Sequence, residues 1–287
     1  MCKAGDVDEC EDRCAQGNLR SCSNYAMALE HGTGVAADIP KAVALYTRAC
    51  DCGLPGACAN LASHELTTGH RERARSLDRR ACEGGDAMGC TNLGAMAEAD
   101  GDFVSAHRLY DKACHAAELH PLDNLVTERM RGCVYLGRLL EQGKGVTKSV
   151  SRAYDLYQRA CRADDGEGCT WLGVLFEYGT GVAVDFDAAR KAYEHGCDLD
   201  DASSCRNLGS LYANGRGVAI DYARAKALFE RACAAKLDLG CSSLGYLYQH
   251  GQGVPTDEKR AAELYEEGCH LGDDWGCTKR REMGIAP

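Results

Sequence analysis

The sequence predicts an all-α protein built as a solenoid of paired helices. Three observations predict it: a recurring cysteine interval, a helical apolar pattern inside each interval, and a composition that favours helix over strand. Cys14 and Cys22, Cys50 and Cys58, Cys82 and Cys90, Cys161 and Cys169, Cys197 and Cys205, Cys233 and Cys241, and Cys269 and Cys277 all stand eight positions apart. The step between pairs is 36 residues from Cys14 to Cys50 and again from Cys161 to Cys197, Cys233 and Cys269, and it shortens to 32 between residues 50 and 114. Self-similarity at such a fixed period marks a repeat array. Among 287 residues there are 19 Cys but only 4 Phe and 2 Trp, so aromatic packing is not the main device holding the fold. Five prolines beside plentiful Ala, Leu, Glu, Arg and Lys favour helix.

Within one period the pattern reads as two helices. From Cys169, the run Cys-Thr-Trp-Leu-Gly-Val-Leu-Phe-Glu-Tyr carries apolar residues at helical spacing until Gly179-Thr-Gly181-Val182 breaks it. Asp185 then stands where an N-cap would accept backbone N–H bonds, and a second helix runs through Tyr193 to Cys197. The turn recurs at Gly32-Thr-Gly34-Val35, Gly143-Lys-Gly145-Val146, Gly215-Arg-Gly217-Val218 and Gly251-Gln-Gly253-Val254, and the cap recurs as Asp38, Asp221 and Asp257. An aromatic four residues before the closing cysteine (Tyr46, Tyr110, Tyr157, Tyr193, Phe229, Tyr265) reads as a core knob on the second helix. A small residue four after the opening cysteine (Ala26, Ala62, Gly94, Gly137, Gly173, Gly209, Gly245) predicts a close helix–helix approach, because glycine in a helix costs about 1 kcal/mol against alanine.

The pattern Leu-Gly-x-x-Tyr-x-x-Gly-x-Gly-Val-x-x-Asp-x-x-x-Ala-x-x-x-Tyr, nearly complete from Leu208 to Phe229 and from Leu244 to Tyr265, resembles the Sel1-like repeat. The cysteine at each end of the interhelical connection is similar to the Helicobacter cysteine-rich protein family. The resemblance covers residues 20 to 280, and it is weaker over residues 56 to 114, where the Gly-x-Gly-Val turn is lost. It implies a right-handed α-α superhelical solenoid, tetratricopeptide-related and stapled by disulfides. A capping helix segment is expected over 1–19, seven repeats over 20–274 with an inserted loop at 115–132, and a C-terminal cap over 275–287. In the family each disulfide links the end of one second helix to the next first helix. That implies Cys14–Cys22, Cys50–Cys58, Cys82–Cys90, Cys161–Cys169, Cys197–Cys205, Cys233–Cys241 and Cys269–Cys277. Cys114–Cys133 is expected across the insertion and Cys2–Cys10 as a ninth pair, leaving Cys52 free.

Oxidised pairs imply an oxidising compartment. The expectation is extracellular or periplasmic, with the mitochondrial intermembrane space as the alternative. No hydrophobic signal segment precedes residue 20, which suggests an export signal absent from this chain, with Cys2 at the position an acylated lipoprotein cysteine would take. No apolar run approaches the ~18 residues of a membrane span. A net charge of −10 argues against general binding to nucleic acid or anionic membranes.

Rival chemistries are weak. Zinc knuckles would bring Cys-x-x-Cys, which does not occur here, so in-register eight-residue spacing favours disulfides, and neither metal nor cofactor is expected. Gly32-Thr-Gly34-Val-Ala-Ala37 matches a dinucleotide fingerprint only superficially, since it follows a helix and recurs. His64-Glu65 and His70 are spaced six apart rather than four, which puts the imidazoles on different helix faces. The family resemblance also implies weak penicillin binding or β-lactamase activity. The serine machinery of Ser-x-x-Lys, Ser-Asp-Asn and Lys-Thr-Gly is absent, however, and Thr256-Asp-Glu-Lys259 is the nearest string, so no catalytic residue is assigned.

The expected function is a noncatalytic scaffold that binds a protein or peptide along the concave face. Candidate residues are Asn24, Asn60, Asn92, Tyr135, Trp171 and Asn207, two positions after the opening cysteines, together with Tyr178 and Tyr246. Asparagine is a poor helix former, so its recurrence fits either a clamp on a peptide backbone or a buried amide bonded to a neighbouring helix. The aromatics fit either interface anchors or interhelical packing. Arg71, Arg73, Arg75, Arg79 and Arg80 form either a solvated face or a site for an acidic partner. Residues 115–132 read as a tolerated insertion or as a functional loop.

Overall fold

A computed structural model describes residues 7–119 and 126–284, the side chains of 117–119 and 126–129 excepted, and the Cys2–Cys10 pairing lies outside the described residues. Among the described residues there are sixteen helices and no strand. The first helix of each repeat (A) is α2 (Leu19–His31), α4 (Pro55–Thr67), α6 (Ala87–Ala99), α8 (Val126–Gln142), α10 (Gly166–Tyr178), α12 (Ala202–Asn214) and α14 (Asp238–His250), followed by the terminal α16 (Asp274–Glu282). The second helices (B) are α3 (Ile39–Asp51), α5 (Arg71–Glu83), α7 (Phe103–Leu119), α9 (Val150–Arg162), α11 (Phe186–Asp198), α13 (Tyr222–Ala234) and α15 (Glu258–Leu271), preceded by α1 (Val7–Ala15). The chain forms two compact units, Met1–Lys148 and Ser149–Pro287. Within each, helices pack on the next in sequence, and A helices also pack on the next A helix.

Helix and turn lengths explain the period. Two 13-residue helices, a seven-residue A-to-B turn such as Gly179–Asp185 and a three-residue B-to-A connector such as Leu199–Asp201 make the 36-residue step. Between α4 and α5, and between α6 and α7, only three residues replace the seven, which shortens each step by four. The 115–132 segment is helical over 115–119 and 126–132, because α7 and α8 are each extended to 17 residues, and residues 120–125 lie outside the description.

The seven-residue turn needs two glycines. Gly179 caps α10 in the left-handed region at φ 68°, donating its N–H to Leu175 O. Gly181, at φ 72°, lets the turn touch the preceding B helix, where an added Cβ would lie 2.5 Å from Val150 Cγ1. Asp38, Asp185, Asp221 and Asp257 then cap their B helices by accepting N–H bonds from Lys41, Ala188, Arg224 and Arg260 at 2.9–3.0 Å. Asn18, Asp86, Asp165, Asp201 and Asp273 do the same for A helices.

The aromatic knobs of the B helices are buried, Tyr46, Tyr110, Tyr157, Tyr193 and Tyr265 at 0–1% exposure and Phe229 at 3%. They lie over the small residues of the A helices: a Cβ at Gly173 would run into Tyr193, and one at Gly209 would come within 2.7 Å of Phe229. Gly173→Ala should therefore destabilise the second unit by about 1–3 kcal/mol through overpacking, despite about 1 kcal/mol gained in helix propensity. Thermal denaturation tests this, and an unchanged or raised midpoint would show that Tyr193 does not need the space.

Eight disulfides staple the connectors: Cys14–Cys22, Cys50–Cys58, Cys82–Cys90, Cys114–Cys133, Cys161–Cys169, Cys197–Cys205, Cys233–Cys241 and Cys269–Cys277. Their Cα–Cα separations of 4.4–4.7 Å lie within the range a disulfide spans. Cys52 is free and exposed. No helix is long and apolar enough to cross a membrane among the described residues.

Candidate binding face

The A helices repeat their surface in register. In α10, α12 and α14, Trp171, Asn207 and Ser243 share one position, Val174, Ser210 and Tyr246 the next turn outward, and Tyr178, Asn214 and His250 the helix end. The position two after the cysteine is half-buried throughout, and at Trp171, Tyr135 and Asn92 it meets the B helix of the preceding repeat. Trp171 stacks on Tyr157 with ring centroids 6.1 Å apart, and its Nε1 donates to Glu167 at 3.4 Å. Tyr135 and Tyr110 pack edge to face with centroids 5.3 Å apart, and Arg138 lies over the Tyr135 ring. Asn92 makes the polar version of the same contact, its Nδ2 donating to Asp78 Oδ1 at 3.1 Å. Asn60 donates to Ser23 Oγ on the preceding A helix at 3.2 Å, Asn207 accepts from Arg206, and Asn24 is half-buried on α2.

Tyr178 and Tyr246 are the most open of the candidates, at 65% and 37% exposure. Tyr246 stacks on His250 at 4.0 Å and lies 6.2 Å from Trp275, which is 38% exposed and rests edge-on against Tyr265. Trp275 lies in the segment expected as the C-terminal cap and is not among the sequence candidates. The signal was present in the i, i+4 pair Tyr246 and His250 on one helix face.

Several charged side chains of the described residues are engaged within the array. Tyr46, Tyr110 and Tyr193 donate to Glu30, Glu98 and Glu177 at the ends of their A helices, at 3.1, 2.9 and 2.8 Å, and Tyr265 donates to Gln249. Burial, and the adjacent carboxylate where there is one, push these phenols far above their ordinary range. Glu177 also takes Arg216 from the next turn at 2.8 Å. Arg71 and Arg75 converge on Asp100, Arg73 pairs with Glu65 and Arg80 with Asp51, while Arg79 is exposed. His64 faces Glu30 and His70 faces Glu65, so the two imidazoles serve separate contacts. Thr256 and Lys259 are exposed around the capping Asp257 at the start of α15.

These features define a disulfide-stapled helical-repeat protein with a patterned A-helix face. The chain belongs to the Sel1 repeat family, whose model matches residues 19–54, 131–165, 166–201, 202–237 and 239–273. Among solved structures it is similar to c5321, a protective antigen of uropathogenic Escherichia coli with an SLR fold (23% identity, 96% of this chain and 58% of that one, TM-score 0.61). It is also similar to a Sel1 repeat protein from Oxalobacter formigenes (21% identity, 99% and 82%, TM-score 0.63). Helicobacter pylori cysteine rich protein B is 29% identical over 45% of this chain and 92% of its own, with a TM-score of 0.38. The chain thus spans 58% of the length of the E. coli antigen. No curated protein matches it.

Proposed function

We propose that this protein is a noncatalytic scaffold of the extracellular or periplasmic space that binds a protein or peptide along its A-helix face. In a superhelix of helical pairs that face is the concave one. Seven repeats over 20–274, five of them matching the family model, with caps at 1–19 and 275–287, would supply the array. One observation carries the reading: Tyr246, His250 and Trp275 form an exposed aromatic patch on helices whose opposite side is committed to packing. Eight disulfides support an oxidising environment for the folded chain.

A photoreactive amino acid at position 246 or 178 should capture a discrete partner from the native envelope, while the same group at Lys191, exposed on a B helix, should not. Tyr246→Ala with Trp275→Ala should then weaken that partner's binding by at least about tenfold, as expected for the loss of aromatic anchors. Equal capture from both faces, or undiminished binding by the double variant, would rule the face out.

A further inference from the structure

Four of the B helices reach back to the connector stapled just before them through the residue two positions ahead of the closing cysteine. Arg80 pairs with Asp51 and donates to Cys50 O at 3.1 Å. Arg231 pairs with Asp200 and donates to Cys197 O at 2.7 Å. At the rung of Glu267 the charges are exchanged, with Lys236 as its partner at 3.0 Å. These rungs are ion pairs across a connector, two of them anchored on a backbone carbonyl.

The rung over Cys161–Cys169 differs. Its residue is His195, whose Nε2 donates to Asp164 at 2.9 Å, the place Asp200 holds for Arg231. The imidazole is shorter than a guanidinium side chain and stops over the bridge, with Nδ1 3.7 Å from the sulfur of Cys161 and 3.7 Å from that of Cys169. A ring nitrogen able to gain or lose a proton thus touches both atoms of a disulfide, and a carboxylate fixes the ring from behind. The same orientation of an imidazole by a second group recurs where histidine moves protons to and from a nucleophile.

We propose that Cys161–Cys169 is a thiol–disulfide exchange site with dithiols as its substrate class, and with His195 as its proton donor in the imidazolium form, Nε2–H held by Asp164 and Nδ1–H over the bridge. Cys161 is the more open of the two sulfur-bearing residues, at 6% exposure against 0% for Cys169, so an incoming thiolate attacks Cys161 Sγ. The new bond joins the substrate sulfur to Cys161, the Sγ–Sγ bond breaks, and its electron pair leaves on Cys169 Sγ, which takes the proton from His195 Nδ1. The substrate's second thiolate then attacks its own sulfur in the mixed disulfide and releases Cys161 as a thiolate that takes a proton from solvent. His195 regains its Nδ1 proton from solvent, so the array gains two electrons and two protons, and the substrate leaves as a disulfide. Exchange is faster when the leaving sulfur is the better leaving group, and a proton donor at the leaving sulfur makes it one.

The test is to expose the folded, oxidised chain to graded dithiothreitol, quench with a maleimide, and map by mass spectrometry how far each pair has opened. Cys161–Cys169 should open before Cys197–Cys205. His195→Gln, which keeps a polar group over the bridge without a transferable proton, should slow Cys161–Cys169 by at least about tenfold relative to Cys197–Cys205. Arg231→His, which installs the imidazole beside Asp200, should accelerate Cys197–Cys205. Because both readouts are ratios between pairs in one folded molecule, a general loss of stability does not imitate them. The assignment is overturned if Cys161–Cys169 opens no faster than Cys197–Cys205, or if His195→Gln leaves the ratio unchanged.

Discussion

Asp78→Asn is expected to raise the thermal midpoint by about 10 °C at pH 8 and to leave it nearly unchanged at pH 4, for a gain on the order of 4 kcal/mol. Asp78 occupies the B-helix register that holds Tyr46, Tyr110 or Tyr193 in other repeats, and it is fully buried. Asn92 satisfies Oδ1, while Oδ2 is buried without a partner. Burial pushes the carboxyl up to about 7, Asp86 adds to the rise, and the Asn92 hydrogen bond opposes it. A carboxyl raised in the folded state binds its proton more tightly there than in the unfolded chain. Its contribution is therefore fully present below the ordinary carboxylate range and is lost as pH climbs through about 7. Asparagine keeps the shape and the amide partner without ever ionising. A difference between wild type and variant that is the same at pH 4 and pH 8 would mean Asp78 is not carrying a buried charge.

The gap at Asp78 also shows what the sequence makes legible. The aromatic series breaks between Tyr46 and Tyr110, and that break is visible by register; that the substitute is entombed, with one oxygen unanswered, is a fact of packing. The helix pairs, the two-glycine turns and the aspartate caps are local chemistry, and they appear where the pattern puts them. The change of step from 36 to 32 was plain in the cysteines, while its cause, a seven-residue turn cut to three, needed the helix ends. Sequence could not separate packing from display at the position two after each cysteine. A residue there is half-buried, so Trp171 can lie on Tyr157 and still present an edge to solvent. His195 and Arg231 are related by the 36-residue step, yet it takes the fold to show one meeting sulfur and the other a carbonyl.

Complete reduction and alkylation should unfold both units at physiological temperature. Each carries four of the described disulfides, and a short loop stabilises by about 2–3 kcal/mol through the entropy it removes from the unfolded chain, so four contribute about 10 kcal/mol. That sum rivals the ~5–15 kcal/mol that separates a folded domain from its unfolded chain. Removal of a single staple should behave differently, because a solenoid helix is held only by its neighbours. Replacing Cys197 and Cys205 with serine should cost about 2–3 kcal/mol and open α11 and α12 to hydrogen exchange while leaving α4 and α5 protected. Retention of full helical circular dichroism with a cooperative melt after complete reduction would show that packing alone holds the array. The staples would then serve chemistry at the connectors rather than stability along the chain.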